Sequence, residues 1–112
     1  MITSLAAIII SGAIAIDGDT IRLDSPSRNL RLRVWGINAP EIKEPGGVEA
    51  SRALSRLVKD QTLNCNLMDV DHYGRPVVQC STARVNDIAC EMVRQGHARD
   101  WPKFSAGAYA GC

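Results

Sequence analysis

Three short stretches of this 112-residue sequence set charged side chains beside turn-forming residues. Asp17 and Asp19 flank Gly18 in AIDGDTIRL; Arg33, Asn38 and Glu41 fall in RVWGINAPE; Tyr73 and Arg75 fall in DHYGR. A carboxylate at a strand bend can offer oxygen to a hard divalent cation without disturbing an apolar core. Arginine carries a planar fork of donors that can hold a phosphate through two oxygens. A glutamate placed after a proline is stiffly held and can position or deprotonate water. Taken singly, each residue also has an ordinary explanation: a turn aspartate, a solvated strand arginine, an acidic residue at the start of a helix.

The elements that must position these side chains are short and mostly β. Ile8 to Ile16 and Thr20 to Asp24 read as two strands, the second with Ile21 and Leu23 facing one way and Thr20 and Arg22 the other. After the turn SPSRN, Leu30, Leu32 and Val34 alternate with Arg31, Arg33 and Trp35, which gives a strand with one apolar and one cationic face. Following the breaker EPGG, apolar residues Ala50, Ala53, Leu54, Leu57 and Val58 recur at helical spacing, predicting a helix over Val48 to Lys59. Leu63, Cys65 and Leu67 alternate as a fourth strand, DHYG forms a loop tip, and Pro76 to Ser81 returns as the fifth. Asn86 is expected to cap a helix from Asp87 to Gln95 that ends at Gly96, with DWPKFSAGAYAGC mostly irregular. Closely spaced strands, with a helix after the third and another after the fifth, predict an α+β chain. Its expected fold is a five-stranded OB-type Greek-key β-barrel with two to three short helices, one domain over residues 1–112.

Composition is that of an ordinary globular protein, 46% hydrophobic and 22% charged. A net charge of +1 is too small to hold a polyanion by bulk attraction, so any such partner depends on where the arginines stand. Arg22, Arg28, Arg31, Arg33, Arg75 and Arg84 lie within or beside the β-like segments. The four cysteines include no C-x-x-C pair and have no histidine at ligand spacing, which argues against zinc. An even number in a small chain fits two disulfides and an oxidising compartment, with three connectivities open. The opening MITSLAAIIISGAIA lacks a basic start and runs straight into the aspartate motif, so it reads as part of the mature protein. Serine, threonine and glycine interrupt it too often for a membrane span.

The ordered set AIDGDTIRL, RVWGINAPE, ALSRLV, DHYGRPVV, VRQGHARDW and SAGAY resembles the staphylococcal nuclease (thermonuclease) family over nearly the whole chain. The resemblance implies a calcium ion on acidic side chains, two arginines on the scissile phosphate and a glutamate that directs water. Asp19 corresponds to the first metal carboxylate, with Asp17 serving the turn and Gly18 allowing a sharp backbone. Arg33 and Arg75 match the phosphate arginines and Glu41 the catalytic glutamate. Tyr73 matches a tyrosine of the nucleotide pocket, and Trp101 and Phe104 fall in the region that stacks on the base, which suits single strands because every base has a π-face, with packing against the second helix an equal alternative for these two. His72 and His97 are given surface or structural roles. The chain departs from the family at Asn38, which stands where a second metal carboxylate belongs; Ala39 takes the place of a ligand that acts through its backbone carbonyl. Asparagine still offers a neutral oxygen, so a site with one charge fewer and weaker calcium binding is expected.

The implied activity is metal-dependent hydrolysis of DNA and RNA phosphodiesters leaving 3′-phosphate ends, with flexible or single-stranded substrate preferred. The protein is expected to be a periplasmic or secreted monomer with no membrane partner. The rival reading is a non-catalytic OB module that binds nucleic acid or protein, favoured by Asn38 and opposed by the joint presence of Asp19, Arg33, Glu41 and Arg75. A hairpin centred on His72 and Tyr73 places Cys65 opposite Cys80 and Leu67 opposite residue 78, which predicts a Cys65–Cys80 bridge. Cys90 is then expected to join Cys112 and tie the last segment to the second helix.

Overall fold

The computed structural model describes residues 7–25 and 28–112. The first six residues of the apolar opening and two residues of the expected SPSRN turn lie outside the described residues. The chain forms β1 (Ala7–Ile10), β2 (Ala13–Asp17), β3 (Thr20–Ser25), β4 (Arg28–Val34), β5 (Ile37–Asn38), α1 (Gly47–Val58), β6 (Leu63–Val70), β7 (Pro76–Ser81), α2 (Ile88–Arg94), β8 (Arg99–Asp100) and α3 (Pro102–Ser105).

The expected strand from Ile8 to Ile16 is bent into two arms, because Gly12 takes a left-handed φ of 72° between them. One arm, β1, pairs with β6, and the other, β2, pairs with β3. The main sheet runs β1-β6-β7-β4-β3-β2, antiparallel except for the parallel contact of β4 with β7. Its two edges are therefore the arms of one bent strand, and that continuity curls the sheet into the five-stranded OB-type Greek-key barrel. The fold is α+β.

Strand alternation sends Ile21, Leu32, Val34, Leu63, Cys65, Val78 and Cys80 into one core, where α1 adds Ala50, Ala53, Leu54 and Val58 and α2 adds Ile88, Ala89 and Met92. Asp87, not Asn86, caps α2: its Oδ1 accepts the Ala89 and Cys90 N–H groups at 3.0 and 3.4 Å. The segment expected to be irregular is instead folded back on the barrel. Arg99 and Asp100 pair with Asn38 and Ile37, and the Trp101 N–H donates to the Gly36 carbonyl at 2.9 Å. Buried Tyr109 fastens the C-terminal segment, its hydroxyl donating to Asp87 Oδ2 at 2.9 Å while accepting from Gln79 Nε2 at 3.0 Å.

Both disulfides are present, Cys65–Cys80 with α-carbons 4.0 Å apart and Cys90–Cys112 with α-carbons 5.4 Å apart. Cys65 faces Cys80 and Leu67 faces Val78 in the expected register. A bulge between Leu67 and Asp69 then moves the hairpin on by one, so Asp69 faces Val77 and the tip centres on Tyr73. Replacing Cys90 and Cys112 by serine is expected to lower stability by about 2–4 kcal/mol, through a looser unfolded chain. Chemical denaturation of the two proteins checks this; equal stabilities would show that the bridge contributes nothing.

Candidate active site

A cleft of about 520 Å³ opens on the outward face of β3 and β4, between the β6–β7 hairpin tip and the segment around α3. Asp19, Arg33, Asn38, Glu41, Tyr73, Arg75, Trp101 and Phe104 all line it. Residues far apart in the sequence are thus gathered by several different turns. Ala39 is the exception among the expected site residues: it is buried behind the cleft and lines a neighbouring hollow.

Asp19 closes the β2–β3 turn and is 7% exposed. Its Oδ2 accepts the Ala39 N–H at 2.8 Å and lies 3.4 Å from Arg33 Nη2, and its Oδ1 accepts the Thr20 hydroxyl at 3.2 Å. Asp17 makes the turn, its Oδ1 accepting the Asp19 N–H at 3.1 Å. Gly18 has a different reason from the one the sequence suggests. Its φ is not left-handed; a Cβ there would fall 2.6 Å from the Ala39 Cβ and 2.7 Å from the Ala50 Cβ. Glycine lets the turn press against both, which brings Ala39 within reach of Asp19.

Burial pushes the Asp19 carboxyl up to about 6, against the pull of Arg33 and the Ala39 N–H, with Asp17 adding a smaller upward push. Below about pH 4 the group is neutral whether the chain is folded or not. Between about pH 4 and 6 the folded state keeps a proton that the unfolded state has lost, so this group's contribution to stability falls as pH rises. Asp19→Asn cannot ionise and escapes that fall. In chelator, the variant is expected to gain on the wild type by up to about 3 kcal/mol across this window. Denaturation curves that stay parallel from about pH 4 to 6 would contradict it.

Arg33 lies on the cationic face of β4, held by the Val34 carbonyl at 3.0 Å, with its guanidinium 5.5 Å from the centre of the Trp101 ring. Trp101 in turn meets Phe104 edge to face at 4.5 Å. Both aromatics stay outside the buried core, 36% and 46% exposed. Across the cleft, Asp71 anchors Arg75 through Nε at 2.7 Å and through the backbone N–H at 2.9 Å. Burial, which pushes the Asp71 carboxyl up, is outweighed by these donors and the Tyr73 N–H together, which hold it below its usual value. Nε is thereby used for orientation, and the terminal nitrogens of Arg75 make no hydrogen bond among the described residues. Tyr73 is 74% exposed, with Arg75 5.5 Å from its ring centre.

Glu41 is exposed in the loop between β5 and α1, its N–H donating to Glu44 Oε1 at 2.7 Å. The loop folds tightly onto α1: a Cβ at Gly47 would sit 1.8 Å from the Glu41 carbonyl oxygen, so only glycine fits there. Asn38 is held by its pairing with Arg99 and is exposed at the cleft. His72, assigned a surface role, is exposed as expected yet stands on the cleft rim beside Tyr73, with ring centres 4.0 Å apart. Sequence reasoning missed Gly47 and the cleft-lining Trp35; the doubled glycine of EPGG was the signal for the first.

Residues 31–108 match the family model described as staphylococcal nuclease homologue. A protein of Oryza sativa subsp. japonica named "Probable staphylococcal-like nuclease" is 34% identical over 64% of this chain and 19% of its own length. Proteins named "Uncharacterized endonuclease" are 31% identical in Escherichia coli O157:H7 and 30% identical in Haemophilus influenzae, each over 80% of this chain and over 59% and 50% of their own lengths. The chain therefore spans between about one fifth and three fifths of these relatives. The match covers the arginine strand, the Asn38–Glu41 loop, the hairpin tip and the aromatic segment of the cleft, and the chain belongs to the staphylococcal nuclease family.

Proposed function

We propose that this protein is a divalent-cation-dependent nuclease that hydrolyses phosphodiester bonds in DNA and RNA and leaves 3′-phosphate ends. The observation that carries the reading is the convergence of Arg33, Arg75, Asp19 and Glu41 on one cleft with exposed aromatics at its rim. Two guanidinium groups lining one cleft suit a phosphate held by both, where they stabilise the charge that builds on in-line attack. Of the two glutamates in NAPEIKE, Glu41 lines this cleft, while Glu44 lines the neighbouring hollow and is occupied by the loop backbone. The Glu41 carboxylate directs the attacking water. Tyr73, Trp101 and Phe104 offer ring faces to unpaired bases, and no element among the described residues reads base edges in a duplex groove, so flexible or single-stranded substrate is preferred.

Asp17, Asp19, Thr20 and Asn38 line the cleft and offer oxygen, the Asp19 carboxylate being shared with the Ala39 N–H, the Thr20 hydroxyl and Arg33. This fits a hard cation such as calcium, held by Asp19 and Asn38 with Ala39 supporting Asp19. The set is lean, since among the described residues no group of three or more histidine, cysteine or acidic side chains converges. When bound, the cation supplies positive charge beside the phosphate and makes nearby water more acidic. Two disulfides suit an oxidising compartment, hence a periplasmic or secreted protein, acting as a monomer.

Cleavage of plasmid and single-stranded DNA with calcium, abolished by chelator, tests the reading. Asn38 favours the second reading, a non-catalytic binding module, and Asn38→Asp separates the two. In a nuclease with a depleted ligand set the added carboxylate tightens calcium binding and lowers the calcium needed for half-maximal cleavage. Without metal the variant is slightly less stable, because its carboxylate repels Asp19, and calcium restores it. Calorimetric titration giving equal affinities for the two proteins, with cleavage by neither, would defeat the nuclease reading.

A further inference from the structure

The outward face of β3 and β4 carries more cationic charge than the cleft uses. Register pairs Thr20 with Arg33, then Ile21 with Leu32, then Arg22 with Arg31. Ile21 and Leu32 are buried, so alternation puts the first and third of these pairs together on the outward face. Thr20 and Arg33 line the cleft; Arg22 and Arg31 form the next rung just beyond it. Arg31 is exposed and Arg22 half-exposed, and neither is ion-paired among the residues whose side chains are described, which exclude Asp24.

Two guanidinium groups directly opposed across an antiparallel pair repel each other, which weakens the sheet unless an anion lies over them. Along β4, Arg31 and Arg33 stand about 6.6 Å apart, two residues of strand rise. That step matches neighbouring phosphates on an extended strand, and the direction leads straight out of the cleft. We propose that Arg22 and Arg31 form a phosphate-binding rung which extends the cleft into a track for the backbone of a single-stranded polynucleotide, holding a phosphate next to the one between Arg33 and Arg75. The proposal rests on the nuclease reading for its choice of ligand. The exposed aromatics confined to the cleft favour one unpaired strand over a duplex. With a net charge of only +1, this local pair carries a large share of the attraction.

The test is binding of a labelled dinucleotide and a labelled oligothymidylate octamer in chelator across a range of salt. The Arg22→Gln/Arg31→Gln protein is expected to bind the octamer several-fold more weakly and to lose about 0.7 from the slope of log affinity against log salt, one single-strand phosphate contact. Dinucleotide binding should not change. A control with Arg56→Gln and Lys59→Gln, at the C-terminal end of α1, removes the same charge and should keep the slope. The doubly substituted track protein should melt no lower than the wild type, because a repulsion is gone; Arg31→Gln alone should lose less slope than the double variant. An unchanged slope in the double variant, an equal loss in the control, or no octamer binding by the wild type overturns the proposal. Cleavage with calcium is read in parallel. A slope that falls while neither protein cuts DNA keeps the track and removes the nuclease reading; cleavage by both with an unchanged slope does the reverse.

Discussion

Glu41→Gln is expected to leave the fold and substrate affinity nearly unchanged and to lower kcat by roughly 10² to 10⁴, the range that general-base catalysis supplies. The reason is positional. Glu41 is exposed at the cleft, so its charge supports no buried neighbour, and an amide of the same shape adds no strain. Its backbone is fixed independently, by the Glu44 carboxylate on its N–H and by the close approach of Gly47 to its carbonyl. Substitution therefore removes a proton acceptor and little else, and the loss appears in kcat with KM close to that of the wild type. Single-turnover cleavage of a short single-stranded DNA, with thermal melting as the control, measures it. Turnover equal to wild type would take Glu41 out of the mechanism. Gly47→Ala gives a useful contrast, because it displaces the same carboxylate without removing it and so should lower both stability and rate.

The barrel was readable wherever one face of a strand is buried. Leu30, Leu32 and Val34 alternate with Arg31, Arg33 and Trp35, and the register of Cys65 with Cys80 followed from centring the hairpin on His72 and Tyr73. The break at Gly12 was not readable, since the residues on both sides are apolar and only the glycine marks the bend. Nor was the pairing of Ile37–Asn38 with Arg99–Asp100: two residues carry no period, and the contact exists because Trp101 and Tyr109 fasten that segment to Gly36 and α2. Of the cleft, the side chains that carry charge were legible by type and by resemblance to the family. The residues that hold them were not. Gly18 matters because of Ala39 and Ala50, distant in sequence, and Asp71 matters through a hydrogen bond across a hairpin tip.

The two arginines differ in a way that only the structure exposes, and their alanine variants should separate accordingly. Each loses a preorganised donor to the phosphate, so each is expected to lower kcat by roughly 10² to 10³. Arg33 has a second task. It is the cation 3.4 Å from the buried Asp19 carboxylate, with the two side chains only 13% and 9% exposed. Arg33→Ala leaves that carboxylate buried and uncompensated, so stability near neutral pH falls by about 3 kcal/mol, the cost of breaking a buried pair from one side. The Asp19 carboxyl then rises further, because the largest force opposing burial is gone. Acidifying to about pH 5 should return part of the lost stability, since protonated Asp19 no longer needs a partner. Arg75 pairs with an Asp71 that remains partly solvated, the two side chains 31% and 18% exposed, so Arg75→Ala costs only about 0–1 kcal/mol. Denaturation at two pH values, beside cleavage rates, reads all of this. If the two variants lose equal stability, or if acid leaves Arg33→Ala no better off, Arg33 is not the partner that keeps Asp19 charged. Adding Asp19→Asn to Arg33→Ala closes the cycle: stability should recover while activity does not, because the buried charge is removed but the phosphate donor is still missing.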